Sequence, residues 1–424
     1  MTTSTSSVET QPTFEASSVT DLTIDFIRSL EPRVRMVDSD NNIQLFCYTN
    51  CSPEDTEFVK SCRGVVFEND KLILKPFSYT PEFTVEDKET LDTLVPPQLE
   101  GCRVFHSHEG VLIRCFYAQD KWYVSTQRRL DAYKSKWASR ASFGEMFNTA
   151  LGNELQQGTG FQEYMDSFHR DETEEMSCVD AFVRTLDQSK QYMFLVENDK
   201  ENRIVCDVNE HPRVFHVGTF TNGVLDFESS VGLRKPEEKQ FTSLEELMVY
   251  VEGLDERTLQ GVIIFTPTDQ LKIINSRYSY WFSLRGNEPS IKFRYLQLRM
   301  DMKRLEDFKM LYPEYMRTFE KYEDAIYDIM SQIKNAYIKR FIKKEYVTMP
   351  PEEFAVMRDL HSWHLEDRAN NHISTNKVID IVNQQSPTKL NKMIRRFMNE
   401  ERLKTVADIA VPSFENKMLA QQQN

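Results

Sequence analysis

A change in hydrophobic periodicity near Pro289 is the feature that most constrains how this chain of 424 residues can fold. Before it, short runs rich in β-branched and aromatic residues recur, separated in several places by turn-forming pairs such as Asn69-Asp70, Gln119-Asp120 and Asn222-Gly223. This pattern predicts antiparallel, hairpin-rich sheets. After Pro289 the apolar residues recur at helical spacing. The expected fold class is therefore α+β, with an antiparallel-sheet domain followed by an all-helical C-terminal domain.

The expected strands fall in runs that end near Tyr280, and two helical inserts are predicted, at Arg129–Leu155 and Ser243–Glu252. The runs are IQLFCY, RGVVFEN, KLILKPF, RVFHSH, VLIRCFY, KWYVST, QYMFLVE, RIVCDV, RVFHVGTF, GVIIFTP and LKIINS. The predicted C-terminal helices are Phe293–Met310, Pro313–Tyr346 with breaks, Pro351–Asn371, Thr375–Asn383 and Pro387–Asn399.

The domain boundaries follow from this periodicity and from composition. The first 20 residues are rich in Ser and Thr and predict a disordered tail, and residues 406–424 predict a flexible tail. The sheet domain is expected over residues 21–288 and the helical domain over residues 289–405. Turn formers in Arg285–Ile291 mark the boundary between them.

Charge and hydropathy limit the partners of the chain. The formal net charge of −14 opposes a long polyanion, although the basic amphipathic segment Lys334–Glu345 offers a local patch that could contact RNA, an acidic partner or solvent. The default interpretation is that this basic segment contacts only solvent. The longest apolar runs, such as Val262–Phe265, are too short to cross a bilayer, so no membrane insertion is expected.

Cysteine usage indicates a reducing compartment. The chain has 7 cysteines and no C-x-x-C pair, which favours reduced thiols and a cytoplasmic location. Two metal alternatives stay open: Cys47, Cys51 and Cys62 with a nearby histidine, and His361 with His364 at helical spacing. Burial in the core or exposure to solvent is the favoured interpretation of both sets, and no metal site is expected.

Five motifs occur in the same order along this chain as in a known protein family. In chain order they are Arg63-Gly64 within SCRGVVFE, Ser107-His108-Glu109-Gly110, Phe194–Glu197 followed by Asn202-Arg203-Ile204-Val205, Gln260-Gly261 within QGVII, and Lys272 within LKIINSRY. Together they resemble phage-type, tRNA-repair RNA ligases of the covalent nucleotidyltransferase superfamily. The resemblance implies a nucleotidyltransferase fold for the sheet domain, and a helical C-terminal domain also fits that family.

The chemistry that the resemblance implies begins with a lysine that attacks the α-phosphate of ATP. Alignment on Gly110 places Ser107 at that lysine, and a serine hydroxyl cannot form the phosphoramidate. Three further positions are degenerate. Gln260 stands where the family has a metal-binding glutamate, Ile274 where it has a second lysine, and Pro81 where it has a lysine before an F-F-N segment.

Other family positions are retained. The resemblance implies residual nucleotide-binding roles for Arg63, Glu109, Glu197 and Lys272. Glu197 and Lys272 could hold a ribose hydroxyl and a phosphate, or they could pair with each other inside the domain, and the structural interpretation is favoured. ATP and Mg²⁺ would be cofactors only if nucleotide binding or activity is retained.

The expected function is a degenerate, catalytically inactive RNA-ligase-like protein that acts as a binding or structural component, with a large DNA virus as the expected source. Its expected partners are proteins, with RNA as a second option, and its expected location is the cytoplasm, or the virion for a viral source. The alternative is an active ATP-dependent RNA ligase with an unusual nucleophile. His106, His108 and Lys121 are the candidates for that role.

Overall fold

The computed structural model describes residues 14–15, 22–158, 160–168 and 176–403. The chain divides into two compact units, Met1–Ser283 and Leu284–Asn424. The first contains three sheets and several helices, and the described part of the second contains helices. The predicted α+β class with a helical C-terminal region is confirmed.

The N-terminal unit contains short strands and helices that alternate along the chain. Its strands are β1 (Phe14–Glu15), β2 (Val34–Asp40), β3 (Ile43–Tyr48), β4 (Arg63–Glu68), β5 (Lys71–Leu74), β6 (Glu82–Phe83), β7 (Arg103–Ser107), β8 (Gly110–Ala118), β9 (Lys121–Ser125), β10 (Gln191–Glu197), β11 (Val214–Thr221), β12 (Val224–Asp226), β13 (Glu238–Lys239), β14 (Gly261–Phe265) and β15 (Gln270–Ile274). Its α-helices are α1 (Ile24–Ser29), α2 (Glu57–Ser61), α3 (Lys88–Leu94), α4 (Phe143–Gln156), α5 (Gly160–Asp166), α6 (Cys178–Val183) and α7 (Leu244–Glu252). A further helix, α8 (Ser276–Arg285), begins in this unit and ends two residues beyond its boundary. Short 3₁₀ turns lie at Val85–Asp87 and Ala132–Lys134.

The strands form three sheets. One sheet has the order β1-β12-β11-β10-β8-β9, the second β13-β7-β14-β15-β6 and the third β2-β3-β4-β5. The pairings are antiparallel except that of β6 with β15. The three predicted turn pairs connect β4 to β5, β8 to β9 and β11 to β12, with positive φ at both residues of each pair. Positive φ at two central positions matches the twist of paired strands, so these turns specify hairpins.

Aromatic side chains fill the cores against these sheets. Phe147 of α4, Phe182 of α6 and Phe194 of β10 are buried together, with Phe147 and Phe194 5.5 Å apart between ring centres. Leu91 of α3 and Leu247 of α7 are buried in a second cluster with strand residues of the five-stranded sheet. The helices therefore cover one face each of two sheets, which leaves the ends of the strands available for polar side chains.

The described part of the C-terminal unit contains α9 (Ile291–Leu298), α10 (Met302–Leu311), α11 (Met316–Tyr337), α12 (Pro351–Glu366), α13 (Thr375–Asn383) and α14 (residues 387–403). A 3₁₀ turn precedes α11 at Pro313–Tyr315, and a π-helical turn follows it at Ile338–Ile342. The predicted run Phe293–Met310 is split because the Asp301 side chain accepts a hydrogen bond from the Arg304 N–H and begins a new helix.

Several predicted segments differ in the structure; for example, the helix predicted over Pro351–Asn371 ends at Glu366. Residues 129–142 are not α-helical, because Ser142 caps α4 and the Arg140 N–H donates to the Glu201 carboxylate. The run RIVCDV is not a strand. Residues from Ser276 onward form α8 rather than extending the β-rich region.

The predicted tails lie largely outside the described residues. Phe14–Glu15 are the exception, because they form β1 and pair with Leu225 and Val224 of β12. Residues 406–424 lie wholly outside the described part of the chain.

Candidate functional site

The candidate site lies where the chain passes from the five-stranded to the six-stranded sheet. β7 ends at Ser107 and β8 begins at Gly110, so His108 and Glu109 connect the two sheets. A Cβ atom on Gly110 would lie 2.3 Å from the carbonyl oxygen of Val196. Only glycine therefore fits at the point where the chain passes from one sheet to the other. The side chains of residues 107–109 lie in different surroundings.

Ser107 is part of a closed polar network. It is 5% exposed, and its hydroxyl donates to Gln260 Oε1 at 3.1 Å. Lys272 Nζ donates to the same oxygen at 3.1 Å and pairs with Glu82 Oε1 at 3.1 Å. The β7–β14 register places Ser107 opposite Gly261, which explains why two residues 153 positions apart in sequence meet.

Two of the other degenerate positions border this network. The Lys272 N–H donates to the Pro81 carbonyl at 2.9 Å, so Pro81 lies beside the strand that carries Lys272. Ile274, two residues further on the same strand, is 7% exposed. The structure thus places Ser107, Pro81, Gln260, Lys272 and Ile274 around one end of the five-stranded sheet.

Arg63 braces a loop. Its Nε donates to Gln127 Oε1 at 3.2 Å, and one terminal nitrogen donates to the Ser78 carbonyl and the Thr80 hydroxyl at 3.2 and 3.3 Å. Gln270 Nε2 donates to the same two oxygens, at 3.1 and 2.7 Å. Arg63 therefore holds the segment that leads to Pro81.

Glu109 is a buried carboxylate enclosed by five donors. Its Oε1 accepts from Asn198 Nδ2 at 3.0 Å and the Ile204 N–H at 2.7 Å. Its Oε2 accepts from the N–H groups of Val205 and Cys206 at 2.8 and 3.1 Å, and from the hydroxyl of Tyr278 at 3.1 Å. These bonds use the N–H groups that a strand neighbour would need, which explains why the run RIVCDV does not join a sheet.

Glu197 pairs with an arginine that the sequence analysis missed. Arg213 donates to the Glu197 carboxylate through its N–H and its guanidinium, and Asn209 Nδ2 donates at 2.8 Å. Burial alone would raise the pKa of Glu197, but the hydrogen bonds and charge of Arg213 outweigh it and the pKa is lowered. The favoured interpretation of a Glu197–Lys272 pair is wrong, because Glu197 pairs with Arg213 and Lys272 pairs with Glu82. No short-range signal connects Glu197 with a residue 16 positions away.

A cavity of about 270 Å³ opens beside the Glu197–Arg213 pair. His108, Asn209, Arg213 and Arg257 are among the residues that line it. The His108 ring stacks on Phe215 with 4.2 Å between ring centres, and burial lowers the pKa of His108 to about 4. At neutral pH this imidazole is therefore uncharged and faces a polar cavity.

The other two candidate nucleophiles are committed to different partners. His106 Nε2 lies 2.6 Å from the Tyr250 hydroxyl, and its Nδ1 lies 3.3 Å from Glu237 Oε2. Lys121 Nζ donates to Asp40 at 2.6 Å and lies over the Tyr123 ring. Among the three candidates, His108 is the one that lines the cavity.

The metal alternatives find no support in the described part of the chain. Within it, no group of three or more His, Cys, Asp or Glu side chains could hold a metal ion. His361 Nδ1 lies 3.2 Å from the Tyr337 hydroxyl, and His364 Nδ1 lies 2.6 Å from the Asn371 carbonyl oxygen. Cys47, Cys51 and Cys62 are free thiols. No described helix is long and apolar enough to span a membrane.

Comparisons with known proteins give viral relatives. No protein-family model matches the chain. The "Immediate-early protein ICP-46 homolog" of Invertebrate iridescent virus 6 is 26% identical over 377 residues, covering 83% of this chain and 80% of the relative. The protein of the same description from Invertebrate iridescent virus 3 is 28% identical over 363 residues, covering 82% and 75%. The expectation of a viral source agrees with these relatives.

The chain is also similar to solved structures of ATP-dependent ligases. A putative ATP-dependent DNA ligase from Aquifex aeolicus matches with a TM-score of 0.38 and 15% identity, covering 80% of this chain and 87% of that one. An archaeal ATP-dependent RNA ligase matches with a TM-score of 0.36 and 11% identity, covering 66% and 68%.

Proposed function

We propose that this chain is a ligase-like viral protein that does not form a nucleotidyl adduct and that acts as a binding or structural component. One observation carries the proposal. The side chains at the positions that the resemblance assigns to catalysis form hydrogen bonds with one another. Ser107 and Lys272 both donate to Gln260 Oε1. A site organised for phosphate chemistry would instead direct its donors at the substrate.

The nucleophile is the first missing part. A hydroxyl becomes a strong nucleophile when an adjacent base takes its proton. The Ser107 hydroxyl donates that proton to a neutral amide oxygen, and an amide is not a base at physiological pH. Burial of Ser107 at 5% exposure also limits access by a nucleotide.

The charged side chains that would bind a metal ion and the phosphate groups are the second missing part of the catalytic machinery. Gln260 is neutral, and hard cations such as Mg²⁺ prefer carboxylates. Lys272 already has an anionic partner in Glu82, so a phosphate would have to displace that carboxylate. Ile274 supplies no charge. Three of the contacts that would stabilise a transferring phosphate are therefore absent or occupied.

Most of the retained residues have structural partners, which supports a preserved fold without preserved chemistry. Arg63 holds the loop before Pro81, and Glu109 holds residues 204–206. Glu197 is bonded to Arg213. These roles depend on the fold alone, so the residues can persist where catalysis is lost.

The proposal includes two domains, residues 21–288 and 289–405, and action in the infected cell or the virion. The viral relatives of this chain are described as homologs of an immediate-early protein and come from two invertebrate iridescent viruses. As part of the proposal, this chain is also an immediate-early protein. Its proposed partners are proteins and not a small-molecule substrate.

A second candidate function is an active nucleotidyltransferase with His108 as the nucleophile. The observation that favours it is the position of His108, uncharged and on the wall of a polar cavity. Arg213 and Arg257 on the same wall are cations that a phosphate could approach. Against it, Arg213 is already paired with Glu197.

Labelled nucleotide separates the two functions. The full chain is incubated with α-labelled ATP, and separately GTP, with Mg²⁺ or Mn²⁺, and separated under denaturing conditions. We expect no label on the protein. Label that is lost in His108→Ala but kept in the control His372→Ala would establish the second function, and label on any other residue would overturn the first as well.

A further inference from the structure

The segment that follows α11 projects apolar and basic side chains into solvent. The helix changes to a π-helical turn at Ile338–Ile342, and Lys344 has a φ of 60°. Ile342 is 67% exposed and Tyr346 is 90% exposed. Ile342 and Tyr346 therefore expose apolar surface within five residues of each other, beside the cations of the same segment.

The cations of this segment have no carboxylate partners. Lys339, Arg340, Lys343 and Lys344 form no ion pair with any residue of the described chain. Elsewhere in the same unit, Arg299 pairs with Glu323. Glu345 is the one acidic residue between Lys339 and Tyr346, so four cations and one carboxylate leave this segment a net charge of +3.

Residues of α12 and of the turn after it extend the same surface. The His361 ring stacks on Phe341 with 3.7 Å between ring centres. Burial, followed by the charges of His364, Arg368 and Lys344, lowers the pKa of His361. The His361–Phe341 stack therefore joins α12, which Arg368 follows, to the π-helical turn that carries Lys339 and Arg340. We define the basic surface as Lys339, Arg340, Ile342, Lys343, Lys344, Tyr346 and Arg368.

The C-terminal part of the chain has a small excess of basic residues, although the chain as a whole is acidic. From residue 284 onward the sequence has 24 basic and 20 acidic residues, whereas the whole chain carries a net charge of −14. A long nucleic acid would extend beyond the surface and meet the field of an acidic protein. A short acidic segment would be attracted by the unpaired cations and would not be repelled over a long length.

We propose that the basic surface binds an acidic segment of a partner protein that also carries apolar side chains. The acidic groups pair with Lys343, Lys344 and Arg368, and the apolar groups cover Ile342 and Tyr346. This inference rests on the proposed binding role of the chain. It assigns that role a surface and a class of partner, and it does not depend on the site around Ser107.

A binding measurement tests the surface directly. A fluorescein-labelled peptide of alternating Glu and Leu is titrated with the full chain, and its anisotropy is followed. We expect saturable binding that weakens as salt rises, because exposed charge pairs are screened. Lys343→Glu with Lys344→Glu should weaken binding at least 10-fold, since two attractions become repulsions.

The controls use the same charge change elsewhere. Lys303→Glu with Lys321→Glu reverses two exposed cations on α10 and early α11, outside the basic surface, and should leave the affinity within about 2-fold. Arg368→Glu, on a different segment of the surface, provides a second variant if the first pair disturbs the turn. A Glu/Ser peptide of the same charge should bind more weakly than the Glu/Leu peptide.

Three results would overturn the inference: no saturable binding of the Glu/Leu peptide, equal loss in the control variant, or tighter binding of a single-stranded RNA of matched charge that displaces the peptide. The assay contains no nucleoside triphosphate and the adduct assay contains no peptide. Failure of this inference is therefore distinguishable from failure of the proposed function.

Discussion

The Glu109 carboxylate offers the sharpest test of whether the retained motif residues serve the fold. In Glu109→Gln, one oxygen remains for Asn198 Nδ2 and the Ile204 N–H, while an NH₂ group replaces the oxygen that accepts from Val205, Cys206 and Tyr278. The tyrosine hydroxyl can turn and accept from the new NH₂ group. The backbone N–H groups of Val205 and Cys206 cannot accept a hydrogen bond, so they face the new NH₂ donor without an acceptor.

The expected loss follows from those two groups. Each buried N–H left without an acceptor costs about 1–3 kcal/mol, so the free energy of unfolding of the N-terminal unit should fall by about 4 kcal/mol. Tyr278→Phe removes one donor and should cost about 1 kcal/mol. Glu89→Gln, at an exposed position on α3, is the matched control and should change stability by less than about 0.5 kcal/mol.

The assay is urea unfolding followed by tryptophan fluorescence in a Trp363→Phe background. Trp122, Trp137 and Trp281 lie in the N-terminal unit, so the signal then reports that unit alone. If Glu109→Gln left the unfolding free energy within about 1 kcal/mol of the parent and instead abolished nucleotide binding, the structural role assigned to Glu109 would be refuted.

Three further predictions concern the site, acid sensitivity and domain division. Ser107→Lys alone should give no nucleotidyl adduct on a denaturing gel, because each missing charge contact commonly costs on the order of 10²- to 10³-fold, whereas Ser107→Lys with Gln260→Glu and Ile274→Lys should give at least a trace; a strong adduct from the single variant would contradict this. Burial lowers the pKa of His216 to about 4. As the pH falls below 6.5, the unfolded chain binds a proton at His216 that the folded chain does not. The stability that His216 contributes should therefore fall by about 3 kcal/mol from pH 7 to pH 4, and His216→Gln should remove that part of the pH dependence in urea titrations. Limited proteolysis should cut within residues 285–291 to yield two stable fragments, and a single resistant core would count against two domains.

Local chemistry made part of the fold predictable. Asn222-Gly223 and Asn69-Asp70 adopt positive φ, which Gly, Asn and Asp tolerate, so these two hairpins could be predicted from the sequence. Ser243 accepts a hydrogen bond from the Glu246 N–H, and the predicted insert at residues 243–252 is confirmed as α7. These features depend on residues within a few positions of one another.

Long-range contacts made the rest unpredictable. The run RIVCDV has the composition of a strand, but Glu109, about 95 residues earlier, takes its N–H groups. The partners of Glu197 and Lys272 likewise could not be assigned from spacing, because Arg213 and Glu82 reach them only through the folded sheets. The clustering of Ser107, Gln260 and Lys272 was implied by the family resemblance and depends on strand register.

The intact mass of the unmodified chain, recorded before and after incubation with ATP and Mg²⁺, tests the proposed absence of catalysis most directly. The closed network of Ser107, Gln260 and Lys272 predicts that the mass does not change, while an active ligase treated in parallel gains one nucleotide. A mass increase equal to one nucleoside monophosphate, located by peptide mapping to a residue of this chain, would contradict the proposed function.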